Sequence, residues 1–258
     1  MPRMHQSVPL ADIVAYCDER TRLASVKDFP GSRNGLQFQN SGKVTKIGAA
    51  VDAGLVPFRM AAERGIDFLI VHHGLFWNPQ EPVTGPVYEK YATLVRNDIA
   101  VYGSHLPLDA HPEIGNNALL AKKLGLEVTN WFLPYEGTPI AALCDAGAMH
   151  RTELAARLRT LFPKTFKAIE CGAEKPGKVA ILSGSGRSAL AHLKAQGCDT
   201  LITGELRQEH FNEAQEQGFN LYLCGHYATE VFGVHALAKE LGHRFGLPVE
   251  FVATGCPL

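Results

Sequence analysis

The chain has 258 residues, 46% of them hydrophobic and 20% charged, with a formal net charge of -1. That length supports one large domain or two modest ones, each with its own core, and the balance is that of an ordinary soluble globular protein. No run of lysine or arginine marks a nucleic-acid track or an anionic membrane surface, and the apolar runs are too short to span a bilayer.

The N-terminal stretch "MPRMHQSVPLADIVAYCDER" lacks a continuous apolar core, so no signal peptide is expected. Cys17, Cys144, Cys171, Cys198, Cys224 and Cys256 are scattered, with no C-x-x-C pair. Reduced thiols and a cytoplasmic location follow. In chain order, periodicity predicts a helix over 9–19, a strand over 46–51, a helix over 55–64, a strand over 67–72, a helix over 87–97, a strand over 100–104 and a helix over 115–124. Residues 129–177, with Pro134, Pro139, Pro163 and Pro176, read as the passage between two halves, with a helix over 151–161. Strands over 178–183, 199–203 and 220–225 then alternate with helices over 187–196, 208–217 and 230–241. Such alternation, with nearly continuous apolar strand cores, points to an α/β fold of mostly parallel strands covered on both faces.

The second half echoes the first. "KIGAAVDAGLVPFRMAAERGIDFLIVHH" (46–73) aligns without gaps on "KVAILSGSGRSALAHLKAQGCDTLITGE" (178–205). Lys46, Gly54, Gly65, Asp67, Leu69 and Ile70 match Lys178, Gly186, Gly197, Asp199, Leu201 and Ile202. Downstream, "YGSHLPLDA" and "YLCGHYATE" each end a strand in histidine, with a carboxylate four residues later. The expectation is two similar α/β lobes from an internal duplication, 1–128 and 129–258, with the C-terminal part free to pack back on the first lobe and a metal site between them.

Ligands in open α/β sheets gather beyond the carboxyl ends of strands. Four such ends here carry polar groups: His72-His73, His105 with Asp109, Gly204-Glu205, and His226 with Glu230. Imidazole and carboxylate are ligands suited to Zn, Fe or Mn. Adjacent strand residues point to opposite faces, so His72 and His73 serve one ion only if the strand bends, which Gly74 permits; serving two neighbouring ions is easier. Any one of these features alone is common by chance, and a lone buried histidine is usually just hydrogen-bonded. Their convergence is what favours a metal. "SGSGRS" (183–188) is a Gly-rich turn that matches no phosphate-loop pattern, and a plain tight turn is the simpler reading.

These motifs together resemble the NIF-three-like family of dinuclear metal-centre proteins, whose bacterial members are often labelled GTP cyclohydrolase 1 type 2 homologues. The resemblance rests on "NGLQ" (34–37), "VHHGLFW" (71–77), "SHLPLDA" (104–110), "GNNALLAKKLG" (115–125), "TGEL" (203–206) and "GHYATE" (225–230), in family order over nearly the whole chain. Arg33 stands where the family often has Asp, and Gly74 where it often has Pro. The resemblance implies His72, His73, Asp109, His226 and Glu230 as ligands of two divalent ions, with Glu230 bridging and Glu205 and His105 close by. Beyond the ligands no general acid is unambiguous, and Glu205 and His105 are the expected assisting catalytic groups. It also implies a toroidal homohexamer. The expected function is a metal-dependent hydrolase acting on a small anionic or nucleotide-like ligand, with GTP suggested by the family label. The competing reading is a non-catalytic metal-holding or regulatory scaffold, and oxidative chemistry is a third if the ions are iron.

Overall fold

The computed structural model describes residues 7–77 and 81–258. The first six residues, part of the stretch read for a leader, lie outside the described residues. In chain order the elements are α1 (Leu10–Arg20), β1 (Gly35–Phe38), β2 (Ile47–Asp52), α2 (Leu55–Glu63), β3 (Phe68–His73), α3 (Gly85–Arg96), β4 (Ala100–Gly103), α4 (Leu106–Asp109) and α5 (Asn116–Leu124). There follow β5 (Glu127–Tyr135), β6 (Thr138–Asp145), α6 (Arg151–Leu161), β7 (Lys167–Glu170), β8 (Lys178–Ser185), α7 (Arg187–Leu190), β9 (Thr200–Glu205), α8 (His210–Gln217), β10 (Asn220–Leu223), α9 (His226–Thr229), α10 (Val231–Phe245) and β11 (Val249–Phe251). Among the described residues no helix is long and apolar enough to cross a membrane.

The chain groups into two compact units, 1–108 with 233–255 and 109–232 with 256–258. The second unit thus begins at Asp109 and includes α5. In the second unit α5 packs against β5, β6 and β8, and its buried Leu120, Ala121 and Leu124 join the same core as Val179, Ile181 and Ile202.

The first unit is built on a sheet of order β11-β2-β3-β4-β1, in which only the edge strand β1 runs antiparallel. Phe68, Leu69, Ile70 and Val71 of β3 are fully buried, as expected of a central parallel strand with apolar side chains on both faces. The second unit has the order β5-β6-β8-β9-β10-β7. Its central pairs β8–β9 and β9–β10 are parallel, but β5–β6, β6–β8 and β10–β7 are antiparallel. The sheets are therefore mixed.

The antiparallel strands fill the segment that reads as a passage. β5 and β6 form a hairpin across Glu136 and Gly137, whose φ values of 47° and 89° suit a two-residue turn matching strand twist. The expected helix over 187–196 is only α7 and a 3-10 turn at Lys194–Gln196. Its backbone bonds, His192 N–H to Ala189 and Leu193 N–H to Leu190, reach back three residues, which tightens the helix and ends it.

The strands of the aligned stretches pair in the same register, although α2 is matched only by α7 and a 3-10 turn. Gly48 faces Leu69 and Ala49 faces Ile70 across β2–β3; Ala180 faces Leu201 and Ile181 faces Ile202 across β8–β9. Lys46 Nζ donates to the Arg64 carbonyl and Lys178 Nζ to the Gln196 carbonyl, each at the end of the following helical segment. Gly65 and Gly197 then reverse the chain at φ 65° and 62°, a conformation that costs glycine little.

Candidate metal centre

The first unit gathers imidazoles at the ends of β3 and β4. Ligand nitrogens of His72, His73 and His105 lie within 4.8 Å of one another. Their ring centroids are 4.9 Å apart for His72–His73, 4.8 Å for His72–His105 and 5.7 Å for His73–His105. Each ring is oriented through Nδ1. His72 Nδ1 meets the Ser104 carbonyl at 3.0 Å, His73 Nδ1 meets Asp52 Oδ1 at 2.9 Å, and His105 Nδ1 meets Asp28 Oδ1 at 2.9 Å. Asp52 stands opposite His73 in the β2–β3 register, so the sheet itself delivers that carboxylate.

Asp28 is the hub of this arrangement. Its side chain is 5% exposed and accepts from Asn34 Nδ2 and the Leu106 and Phe29 amides as well as facing His105. Burial opposes its charge, but the hydrogen bonds and charge of His105, with those from Asn34 and Leu106, hold its carboxyl below the usual range. The "NGLQ" stretch thus braces the histidines from behind. Asn34 Oδ1 receives the His105 amide, while Gln37 donates to the Ser32 and Arg33 carbonyls and accepts from the Leu75 amide.

Gln37 also explains Gly74. A Cβ on Gly74 would lie 2.1 Å from Gln37 Nε2, and one on Gly103 would lie 2.4 Å from the same atom. A side chain at Gly74 would therefore have to displace the Gln37 amide from its bracing position.

The second unit carries the carboxylate-rich group. His226 opens α9, with Nδ1 3.0 Å from Glu205 Oε1 at the end of β9 and Nε2 3.2 Å from Glu230 Oε1 one turn later. Glu230 is 3% exposed. Burial disfavours a charged His226, but Glu230 and Glu205 outweigh it and push the imidazole up to about 9. Gly184, at the register shift near the end of β8 and not in the turn expected there, makes this packing possible: at φ 63°, a Cβ there would meet Glu230 Oε1 at 2.4 Å and His226 Nε2 at 3.1 Å. Asp109, 5% exposed, ends α4. Its Oδ1 accepts from Asn116 Nδ2 at 2.8 Å and Ser183 Oγ at 2.9 Å.

The structure therefore brings His72, His73 and His105 together in one unit, and His226, Glu205 and Glu230 in the other, with Asp109 held by its own partners. Sequence reasoning missed Asp28, Asp52 and Ser104, which orient the imidazoles. Only Asp52 had a readable signal, its place at the end of the strand beside the histidine pair. The donor set fits a divalent metal. In all four histidines an oxygen faces Nδ1 and sets the tautomer and angle of the ring, as metal-ligating histidines require.

Fold and site together define an α/β protein whose strand ends present groups of imidazole and carboxylate donors able to hold a metal ion. A family model described as Duf34/NIF3 (NGG1p interacting factor 3) matches residues 8–256, and the chain belongs to that family. It is 40% identical over 245 residues to the "GTP cyclohydrolase 1 type 2 homolog" of Deinococcus radiodurans, covering 93% of this chain and 91% of the relative. A relative of the same name from Archaeoglobus fulgidus is 37% identical over 246 residues, covering 94% and 97%. The crystal structure of TTHA1606 from Thermus thermophilus superimposes with a TM-score of 0.86 at 38% identity, covering 97% of this chain and 100% of that one.

Proposed function

We propose that this protein is a dinuclear metal-dependent hydrolase. In this reading His72, His73, Asp109, His226 and Glu230 hold two divalent ions (Zn, Fe or Mn), with Glu230 as the bridge. The observation that carries the reading is the common orientation of the four imidazoles, each braced at Nδ1 so that Nε2 is the nitrogen offered to a ligand. Divalent ions held there would polarise a substrate carbonyl or phosphoryl oxygen and activate water for attack on the carbon or phosphorus that bears it.

The chain's own residues do the rest. Glu205 and Asp28 hold His226 and His105 in place. His105 and Glu205 are the groups assigned to proton transfer. Four positive charges outweigh the two carboxylates of the ligand set, so the site favours a small anionic or nucleotide-like ligand. GTP is the substrate that the relatives' name suggests. The subunit is proposed to assemble as a toroidal homohexamer in the cytoplasm, and the aligned β-α-β segments to descend from one duplicated ancestor. The shared register and matched lysine caps support that descent.

A specific observation also favours the scaffold reading: Glu205 is already committed to His226, and His105 to Asp28, which leaves no independent acid. One experiment separates the two. Untagged protein is analysed for metal, then metal-loaded protein is screened against nucleotides and phosphoesters. About two ions per chain with metal-dependent turnover supports the hydrolase. Two ions with no turnover on any class supports the scaffold.

A further inference from the structure

Large aromatic side chains are usually buried, and an exposed pair beside a polar site has a reason to be there. Phe29 and Trp77 are 42% and 38% exposed. Both stand against the histidine group of the first unit. The Trp77 ring centroid is 4.6 Å from that of His105 and 5.1 Å from that of His73; Phe29 is 5.8 Å from His105. The two aromatic rings lie 6.4 Å apart at 88°, so they form a corner.

This corner is held rigidly. The loop bearing Phe29 is fixed at one end by Asp28, which faces His105. At the other end Gln37 ties Ser32 and Arg33 to Leu75, close to Trp77 in sequence. The loops also touch at Gly31, where a Cβ would lie 3.0 Å from the Trp77 carbonyl. Packing alone does not require this much exposed aromatic surface, because the histidines are already oriented by Ser104, Asp52 and Asp28.

We infer that Phe29 and Trp77 form a stacking platform for a ligand with a planar conjugated ring, whose polar edge faces the His73–His105 donors. The inference rests on the metal-site reading above and narrows its substrate class to heteroaromatic compounds. A ring stacked flat on one wall presents its edge to the other, which is the preferred arrangement of aromatic pairs. Stacking of this kind tolerates different bases, since every base has a π face. The platform therefore selects for ring character, and the donors select the polar edge.

The test uses zinc-loaded full-length protein and calorimetric titration with guanosine 5′-monophosphate, uridine 5′-monophosphate and ribose 5-phosphate. These probes share the phosphate and sugar, and only the first two carry a ring. Wild type should bind the nucleotides about tenfold more tightly than ribose 5-phosphate. Trp77→Leu and Phe29→Leu should each reduce that preference, and the double variant should remove it, with zinc content unchanged. A wild type without ring preference overturns the platform, as does a double variant that keeps it. A change of oligomeric state with ring preference intact also overturns it, and assigns the face to a subunit contact. Zinc content reports on the metal reading separately: a wild type that takes up no zinc defeats that reading, while ring preference measured on the same metal-free protein still judges the platform.

Discussion

Gly184→Ala is the sharpest perturbation of the carboxylate group in the second unit. The added methyl has two separable costs. The first is backbone: φ is 63°, and a left-handed conformation costs an L-residue about 1–2 kcal/mol. The second is local: the new Cβ would lie 2.4 Å from Glu230 Oε1 and 3.1 Å from His226 Nε2. Ordinary contact begins near 3.4 Å, so the Glu230 carboxylate must retreat by about an ångström. Metal–ligand distances tolerate only about ±0.2 Å, so the retreat removes Glu230 from any ion it holds. Gly147→Ala is the control. Its φ is 54° and nothing lies within 4 Å of the added Cβ, so it carries the backbone cost alone. Both variants should lower Tm by about 2–8 °C, using about 2–4 °C per kcal/mol for a chain of this size. Only Gly184→Ala should also lose bound metal, measured by elemental analysis after identical loading and dialysis. If Gly184→Ala retains as much metal as Gly147→Ala, Glu230 is not a ligand and the assignment fails.

Three further outcomes are expected. Glu230→Gln should lose metal from both sites, because it removes the proposed bridge, whereas Asp109→Asn should lose mainly one ion; equal one-ion losses would reject the asymmetry. In metal-free protein the folded-state pKa of His226 is raised to about 9. Its contribution to stability is therefore full below the unfolded value near 6.5 and is lost as pH rises through about 9. Urea midpoints of metal-free wild type should fall across that window, and a His226→Gln variant with an unchanged decline would refute the cause. Asp28 has the opposite sign. Its lowered folded pKa contributes stability above the ordinary value of 3.8 that is lost as pH falls below it. Asp28→Asn should cost about 1–3 kcal/mol at neutral pH, by weakening charge-assisted hydrogen bonds to a buried acceptor. It should also flatten the acid limb of the stability profile; a variant as stable as wild type would show that the His105 pairing contributes nothing.

Several features were legible in the sequence because they depend on short-range chemistry. The buried parallel strands β2, β3, β8 and β9 follow from nearly continuous apolar runs, which only a sheet covered on both faces can hide. The Gly65 and Gly197 turns follow from the one residue that takes a left-handed conformation cheaply. His72, His73, His226 and Glu230 stand at strand or helix ends, where polar groups after an apolar run are conspicuous.

The β5–β6 hairpin was hidden because Pro134 and Pro139, which face one another across it, read as breakers; Pro134 lies on the edge strand β5 and Pro139 lies outside the stretch of β6, 142–145, that pairs with β8, so their missing amides cost little. The residues that aim the imidazoles were hidden for a different reason. Asp28 is 77 residues from His105, and Asp52 is 21 from His73. A hydrogen bond across such a separation leaves no periodicity in the chain, since its partners meet only once the sheet has set their register. The sequence by itself supplied the donors; which nitrogen each histidine offers was decided by tertiary contacts, because an imidazole is directed by what binds its other nitrogen.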